Sequence, residues 1–82
     1  MNAQAAIKKL EKAGATVTMV NITESTVRYV AKFDKRTVTF DPDSRTGKVD
    51  AFAIPYSYDD ANQSEMCFFR YTVKSAIECA TR

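Results

Sequence analysis

Two runs of alternating side chains constrain the fold of this chain more than any other feature. Residues 26–34 read TVRYVAKFD and residues 37–40 read TVTF. A period of two predicts half-buried strands, and the short polar turn at residues 34–36 predicts that the two strands form an antiparallel hairpin. The expected inward phase is Val27, Tyr29, Ala31, Phe33, Val38 and Phe40, and the outward phase includes Arg28, Lys32, Thr37 and Thr39.

A further strand is predicted before the hairpin, over residues 15–22. Val17 and Met19 share one phase, whereas Val20 and Ile22 share the other. Such a change of phase is typical either of a strand with a bulge near Met19 and Val20 or of a strand that is partly covered on both faces.

A last strand is predicted over residues 48–55, after a turn-rich loop at residues 41–47. Pro55 suits the end of a strand or a sheet edge because it cannot donate a backbone hydrogen bond. Either phase of this strand can face the core. The small set is Val49, Ala51 and Ala53, and the large set is Phe52 and Ile54.

A first helix is predicted over residues 3–13. Asn2 is a good N-cap, and Gly14 stands where a left-handed residue would end the helix. Apolar residues recur at the spacing of one buried helical face. They are Ala3, Ala6, Ile7, Leu10 and Ala13.

The stretch from Tyr56 to Arg82 predicts a tyrosine-bearing lead-in followed by the longest helix of the chain. Asp59 and Asp60 suit the start of that helix, where acidic groups cap N–H groups and complement the helix dipole. Phe68 and Tyr71 fall on the side opposite to the apolar stripe. The stripe consists of Met66, Phe69, Val73, Ala76, Ile77 and Ala80.

The order of elements predicts an α+β fold of one domain over residues 1–82. A helix precedes a three- or four-stranded antiparallel meander, and a second helix follows it. Placing both helices on one face of the sheet buries both apolar helical stripes. With 45% hydrophobic residues, the chain has enough apolar material for one core.

Catalysis, cofactor binding and metal binding are not expected. The chain has no histidine, so a serine or cysteine nucleophile would need lysine or a carboxylate as its base. No glycine-rich phosphate loop is present. Asp41 and Asp43 distantly resemble the start of a calcium loop, but Arg45 stands where a third oxygen ligand is required. These acidic residues therefore predict a turn.

The expected compartment is the cytoplasm. No apolar run is long enough for a signal peptide or a membrane span. Cys67 and Cys79, if both lie on the second helix, are about 18 Å apart along its axis, too far for a disulfide. Two free thiols agree with a reducing compartment.

Nucleic-acid binding is the alternative function. The predicted order of elements resembles the layout of the double-stranded RNA-binding domain. That family places lysines at the start of its second helix to meet phosphates, where this chain has Asp59 and Asp60, so the resemblance concerns topology alone. A net charge of +2 is small for such a protein. The candidate residues, on the first helix and the open sheet face, are Lys8, Lys9, Lys12, Arg28 and Lys32.

Protein binding is the favoured function, and it rests on four aromatic residues. Tyr56 and Tyr58 share a phase in the lead-in, and Phe68 and Tyr71 share the non-core side of the predicted helix. Aromatic residues are enriched at interface centres, although local packing of the lead-in over Phe68 is equally consistent with the pattern. A homodimer through this face is one form of such an interface. The size and layout suggest an adaptor or an inhibitor from a mobile element, like the anti-CRISPR proteins.

Overall fold

Two helices and a three-stranded antiparallel sheet make up the part of the chain that the computed structural model describes, residues 1–54 and 71–82. In chain order the elements are α1 (Ala3–Lys12), β1 (Thr16–Asn21), β2 (Val27–Lys32), β3 (Thr37–Phe40) and α2 (Val73–Thr81). Both helices contact the sheet. The predicted α+β fold, with the order helix, strands, helix, is therefore confirmed. No helix in these two ranges is long and apolar enough to cross a membrane.

Helix α1 begins and ends where its sequence predicts. The side chain of Asn2 accepts a hydrogen bond of 2.9 Å from the N–H of Ala5. At the other end, the N–H groups of Gly14 and Ala15 donate to carbonyls of the last helical turn at 3.0 and 3.1 Å, the pattern of a Schellman motif. Gly14 has a φ of 108°, a conformation that only glycine adopts at low cost.

The sheet is a meander with the strand order β1-β2-β3. Strand β1 pairs with β2 without interruption, from Thr16 opposite Lys32 to Asn21 opposite Val27. This continuous register excludes a bulge within β1. The other sequence-based interpretation is confirmed: Val17 and Val20 are both half-buried, so β1 is partly covered on both faces.

Residues 48–54 make isolated bridges rather than a fourth strand. Ala53 bridges to Thr39 of β3, and Phe52 bridges to Tyr71; each bridge consists of two backbone hydrogen bonds of 2.8–2.9 Å. Because pairing holds for only one residue at a time, no period-two pattern is imposed on this segment. Its buried side chains are accordingly drawn from both predicted phases: Val49, Phe52 and Ala53.

Helix α2 is the main correction to the sequence-based prediction, because it begins only at Val73. Thr72 and Ser75 form a reciprocal capping box, with bonds of 3.2 Å from the N–H of Ser75 to Thr72 Oγ1 and 3.0 Å from the N–H of Thr72 to Ser75 Oγ. Tyr71 precedes this cap and bridges to Phe52, so its predicted place on a helix is wrong. The earlier part of the predicted helix, with Asp59, Asp60, Met66, Cys67, Phe68 and Phe69, lies outside the described residues.

The core lies between the two helices and one face of the sheet. The ring of Phe40 stacks on Tyr29 at a centroid distance of 5.2 Å and meets Phe52 edge to face, also at 5.2 Å. The helices contribute mostly small side chains to this core. Their fully covered residues are Ala6 and Leu10 of α1 and Ala76 and Ala80 of α2.

Candidate functional site

An open groove of about 420 Å³ runs between α1 and α2. Val73 and Ile77 lie one turn apart on α2, and together with Ala13, which follows α1, they form its apolar floor. Val73 and Ile77 are only half-buried. One part of each side chain packs against the core, and the remainder faces the groove.

Four charged side chains line the same groove. Lys9 and Lys12 stand three residues apart on α1, and Lys74 and Glu78 stand four apart on α2, so each pair lies on one side of its helix. All four are exposed. Three lysines and one glutamate leave the rim with two positive charges in excess. Within residues 1–54 and 71–82, none of the four is joined to another by an ion pair.

We name this surface the inter-helix groove: Lys9, Lys12, Ala13, Val73, Lys74, Ile77 and Glu78. An apolar floor beside a polar rim resembles the layout of protein–protein interfaces, whose centres are apolar and whose rims are polar. Long lysine side chains can also lay their aliphatic stems along an apolar partner while their ammonium groups stay in water.

The structure divides the predicted basic residues into two groups. Lys8, Lys9, Lys12 and Lys32 are exposed, and two of them, Lys9 and Lys12, line the inter-helix groove. Arg28 is different, since only 1% of it is exposed. Its Nε lies 2.7 Å from Asp41 Oδ1 and its Nη2 lies 3.0 Å from Asp41 Oδ2. This bidentate geometry ties β2 to the residue after β3.

The second face of the sheet is not the open polar surface that the sequence suggested. Thr37 and Thr39 were predicted to face solvent, yet both are buried, as is Val30 beside them. Thr16 and Thr18 on β1 remain exposed. Of the residues on β2 and β3 that were predicted for this nucleic-acid surface, Lys32 is exposed, whereas Arg28, Thr37 and Thr39 are buried. The physical reason is that alternation predicts two faces of a strand but not which of them the rest of the chain covers.

Of the four aromatic residues predicted to bind protein, only Tyr71 belongs to the described residues; Tyr56, Tyr58 and Phe68 lie outside them. Tyr71 is half-buried and packs against the core. Its backbone exchanges two hydrogen bonds with Phe52, at 2.8 and 2.9 Å. Tyr71 is therefore held at the border between the sheet and α2.

Cys79 and Asp43 are two polar groups with defined surroundings outside the groove. Cys79 is a free, half-buried cysteine whose Sγ lies 3.8 Å from Nη1 of Arg36. The Oδ1 of Asp43 accepts hydrogen bonds from the N–H groups of Arg45 at 2.8 Å and Thr46 at 3.1 Å. These two bonds hold the pKa of Asp43 below its ordinary value. The loop is thus a turn closed by Asp43, and among the described residues no group of three or more acidic, cysteine or histidine side chains could hold a metal ion.

The sequence did not identify Lys74, or the outward parts of Val73 and Ile77, as candidate site residues. The helical periodicity assigned Val73 and Ile77 to the core, although each side chain also faces the groove. Their position at the edge of the apolar stripe, next to Lys74 and Glu78 in the sequence, is the feature that could have indicated this exposed side. Only the position of α1 shows that Lys9 and Lys12 face this boundary.

Comparisons with known proteins add no relative. No protein-family model matches the chain, and neither a curated protein nor a solved structure shows significant similarity to it.

Proposed function

We propose that this chain is a non-catalytic protein-binding domain and that the inter-helix groove is where its partner binds. The observation that carries the proposal is the apolar floor of Val73, Ile77 and Ala13, flanked on both helices by lysines. The domain would act by occupying a surface of its partner, as an adaptor or an inhibitor. Inhibition of a host defence complex by a mobile-element protein, as anti-CRISPR proteins do, is one such role.

The groove favours a partner that carries apolar and acidic side chains together. Burying the exposed parts of Val73 and Ile77 contributes about 25 cal/mol for each Å² of apolar surface removed from water. The excess positive charge of Lys9, Lys12 and Lys74 attracts carboxylates, which raises the association rate and selects against basic partners. Glu78 on the same rim offers one site for a basic side chain.

Protein is favoured over nucleic acid because of the floor of the groove. Binding to a phosphate backbone is dominated by lysine and arginine contacts and needs no aliphatic surface. Arg28, one of the five basic residues predicted for nucleic acid, is buried against Asp41. The other four predicted residues are exposed lysines that could contact phosphates. Nucleic-acid binding therefore stays a prediction, and the salt dependence of binding tests it.

Charge reversal with a matched control tests the proposal. The groove variant carries Lys9→Glu, Lys12→Glu and Lys74→Glu. The control variant carries Lys8→Glu, Lys35→Glu and Lys48→Glu, three exposed lysines that do not line the groove. Both variants change the net charge by the same amount, so they separate the place of the charges from their number.

The measurement is cross-linked capture from the cell of origin, followed by titration of each captured protein in purified form. We expect the groove variant to lose about tenfold in affinity, which corresponds to about 1.4 kcal/mol, while the control stays within about twofold of the original chain. Equal losses in both variants would contradict a specific groove. Capture that disappears on nuclease treatment, with binding to purified DNA or RNA that weakens steeply with salt, would instead support the nucleic-acid alternative.

A further inference from the structure

The outer edge of β1 is a second surface, independent of the inter-helix groove. Among residues 1–54 and 71–82, β1 pairs with β2 and with no other strand. The hydrogen bond from the N–H of Ile22 to the carbonyl of Thr26, 3.0 Å long, sets the phase of the β1–β2 ladder. Since bonding positions alternate in an antiparallel pair, the backbone groups of Val17, Met19 and Asn21 point away from the sheet. No other residue of the described ranges bonds to them.

This edge lacks the features that usually prevent strands from pairing. Natural edge strands carry charged side chains, prolines or bulges. The sequence of β1, TVTMVN, contains no charge, no proline and no glycine, and its register with β2 is free of bulges. Met19, at its centre, is 59% exposed.

We propose that the edge of β1 pairs with the same edge of a second copy of this chain. In an antiparallel arrangement with a two-fold axis at Met19, Met19 of one copy lies opposite Met19 of the other, and Val17 lies opposite Asn21. All three positions are the ones whose backbone groups face outward. Each of these opposed pairs would exchange two backbone hydrogen bonds. The three pairs across the axis therefore give about six bonds, and the sheet grows from three strands to six.

The side chains of β1 are complementary to themselves in this register. On the face that carries the helices, the two exposed Met19 side chains meet and cover each other. On the other face, Thr18 of each copy lies opposite Val20 of the other. Cross-strand pairs of this kind stabilise sheets, whereas like charges directly opposite one another would destabilise them, and β1 has none.

A second copy fits this edge better than a charged peptide from another protein. Strand β1 is neutral, so it offers no opposite charge with which to attract such a peptide. Pairing also uses up the β1 edge of both copies, so association through it closes at two, as expected of a two-fold interface. The dimer would present two inter-helix grooves, and a partner with two binding segments would then gain from effective concentration.

Single-cysteine cross-linking tests the register. In a chain with Cys67→Ser and Cys79→Ser, Met19→Cys places two sulfurs on the axis, with Cα atoms about 5.5 Å apart, which a disulfide can span. Asn21→Cys is the matched control, because its two copies are about 14 Å apart along the strand direction. We expect mild oxidation of the folded chain to give a disulfide-linked dimer with Met19→Cys and little with Asn21→Cys. No dimer, or equal amounts with both variants, would overturn the register.

Sedimentation equilibrium of the full chain tests the association itself. The original chain should show a monomer–dimer equilibrium, and Met19→Lys, which sets two ammonium groups against each other on the axis, should weaken it at least about tenfold. Gln4→Lys, an exposed position on α1, is the control and should leave the equilibrium unchanged apart from a small charge effect. Monomer at every concentration up to the millimolar range, or equal weakening by both variants, would reject pairing at β1.

Discussion

Replacing Asp41 with asparagine removes a negative charge whose partner is almost completely shielded from water. Arg28 is 1% exposed and holds the Asp41 carboxylate through two bonds, of 2.7 and 3.0 Å, while the Asp41 side chain is 23% exposed. Removing one member of a fully buried pair costs about 3–5 kcal/mol, because the remaining buried charge loses the carboxylate that faces it. The partial exposure of Asp41 and the remaining amide oxygen reduce this cost. We therefore expect Asp41→Asn to lower the free energy of unfolding by about 2–3 kcal/mol.

That loss would be a large share of the total. A chain of this length has a free energy of unfolding of about 4–12 kcal/mol, and about 1 kcal/mol shifts the melting temperature of such a domain by 4–8 °C. A second substitution sharpens the test. Arg28→Met, added to Asp41→Asn, removes the guanidinium that has lost this carboxylate and keeps an unbranched side chain in its place. We expect the double variant to recover part of the lost stability, which no additive scheme predicts.

Urea unfolding followed by circular dichroism measures these differences, with tyrosine fluorescence as a second probe, since the chain has no tryptophan. Asp50→Asn is the control: it makes the same chemical change at an exposed position and should stay within about 0.5 kcal/mol of the original chain. A loss for Asp41→Asn as small as that for Asp50→Asn would contradict a stabilising Arg28–Asp41 pair, as would a double variant in which Arg28→Met adds its full separate cost.

Two further predictions concern the turns and caps. Thr72→Ala removes the N-cap of α2 and should lower the free energy of unfolding by about 1 kcal/mol, whereas Thr81→Ala, on the exposed last turn, should cost less; equal costs in urea unfolding would refute a special role for the cap. For Asp43, a pKa below the ordinary 3.8 means that the ionised carboxylate favours the folded state. The stabilisation is present above the pKa of the unfolded chain and is lost as the pH falls through the lower folded pKa. An NMR titration should therefore place the midpoint of the Asp43 carboxyl carbon below pH 3.8, and a midpoint at or above that value would contradict the two backbone bonds.

The elements that the sequence predicts well are those whose determinants are local. For α1, the cap at Asn2, the apolar spacing and Gly14 all lie within thirteen residues, and both ends of the helix agree with them. The β2–β3 hairpin is equally local. Its inward phase, with Ala31, Val38 and Phe40, forms the core as predicted.

Prediction from the sequence failed where contacts with residues distant in the chain determine the local structure. The apolar stripe continues at helical spacing through the residues before Val73, yet the pairing of Tyr71 with Phe52, nineteen residues earlier, keeps Tyr71 extended. The local signal that competes with the stripe is Thr72 with Ser75, a capping box built from two hydroxyl residues rather than the more common threonine and glutamate.

The candidate sites follow the same rule. Lys9 and Lys12 could be identified as exposed basic residues from α1 alone, but the groove that they line exists only because α2 lies beside them. Arg28 stands in the outward phase of β2. Its carboxylate partner Asp41 comes thirteen residues later, and no periodicity within one strand carries that information.

The alanine faces of the two helices have a consequence for how this protein can change over evolution. Ala6, Ala76 and Ala80 are buried and offer the core only single methyl groups, while the sheet side supplies the large rings of Phe33, Phe40 and Phe52. A methyl group added at Ala76 cannot be absorbed by a close-packed core, so α2 would shift relative to α1. Such a substitution would alter the width of the inter-helix groove without changing the residues that line it. If the groove binds a protein as proposed, its preference among partners could then change through positions that no partner contacts.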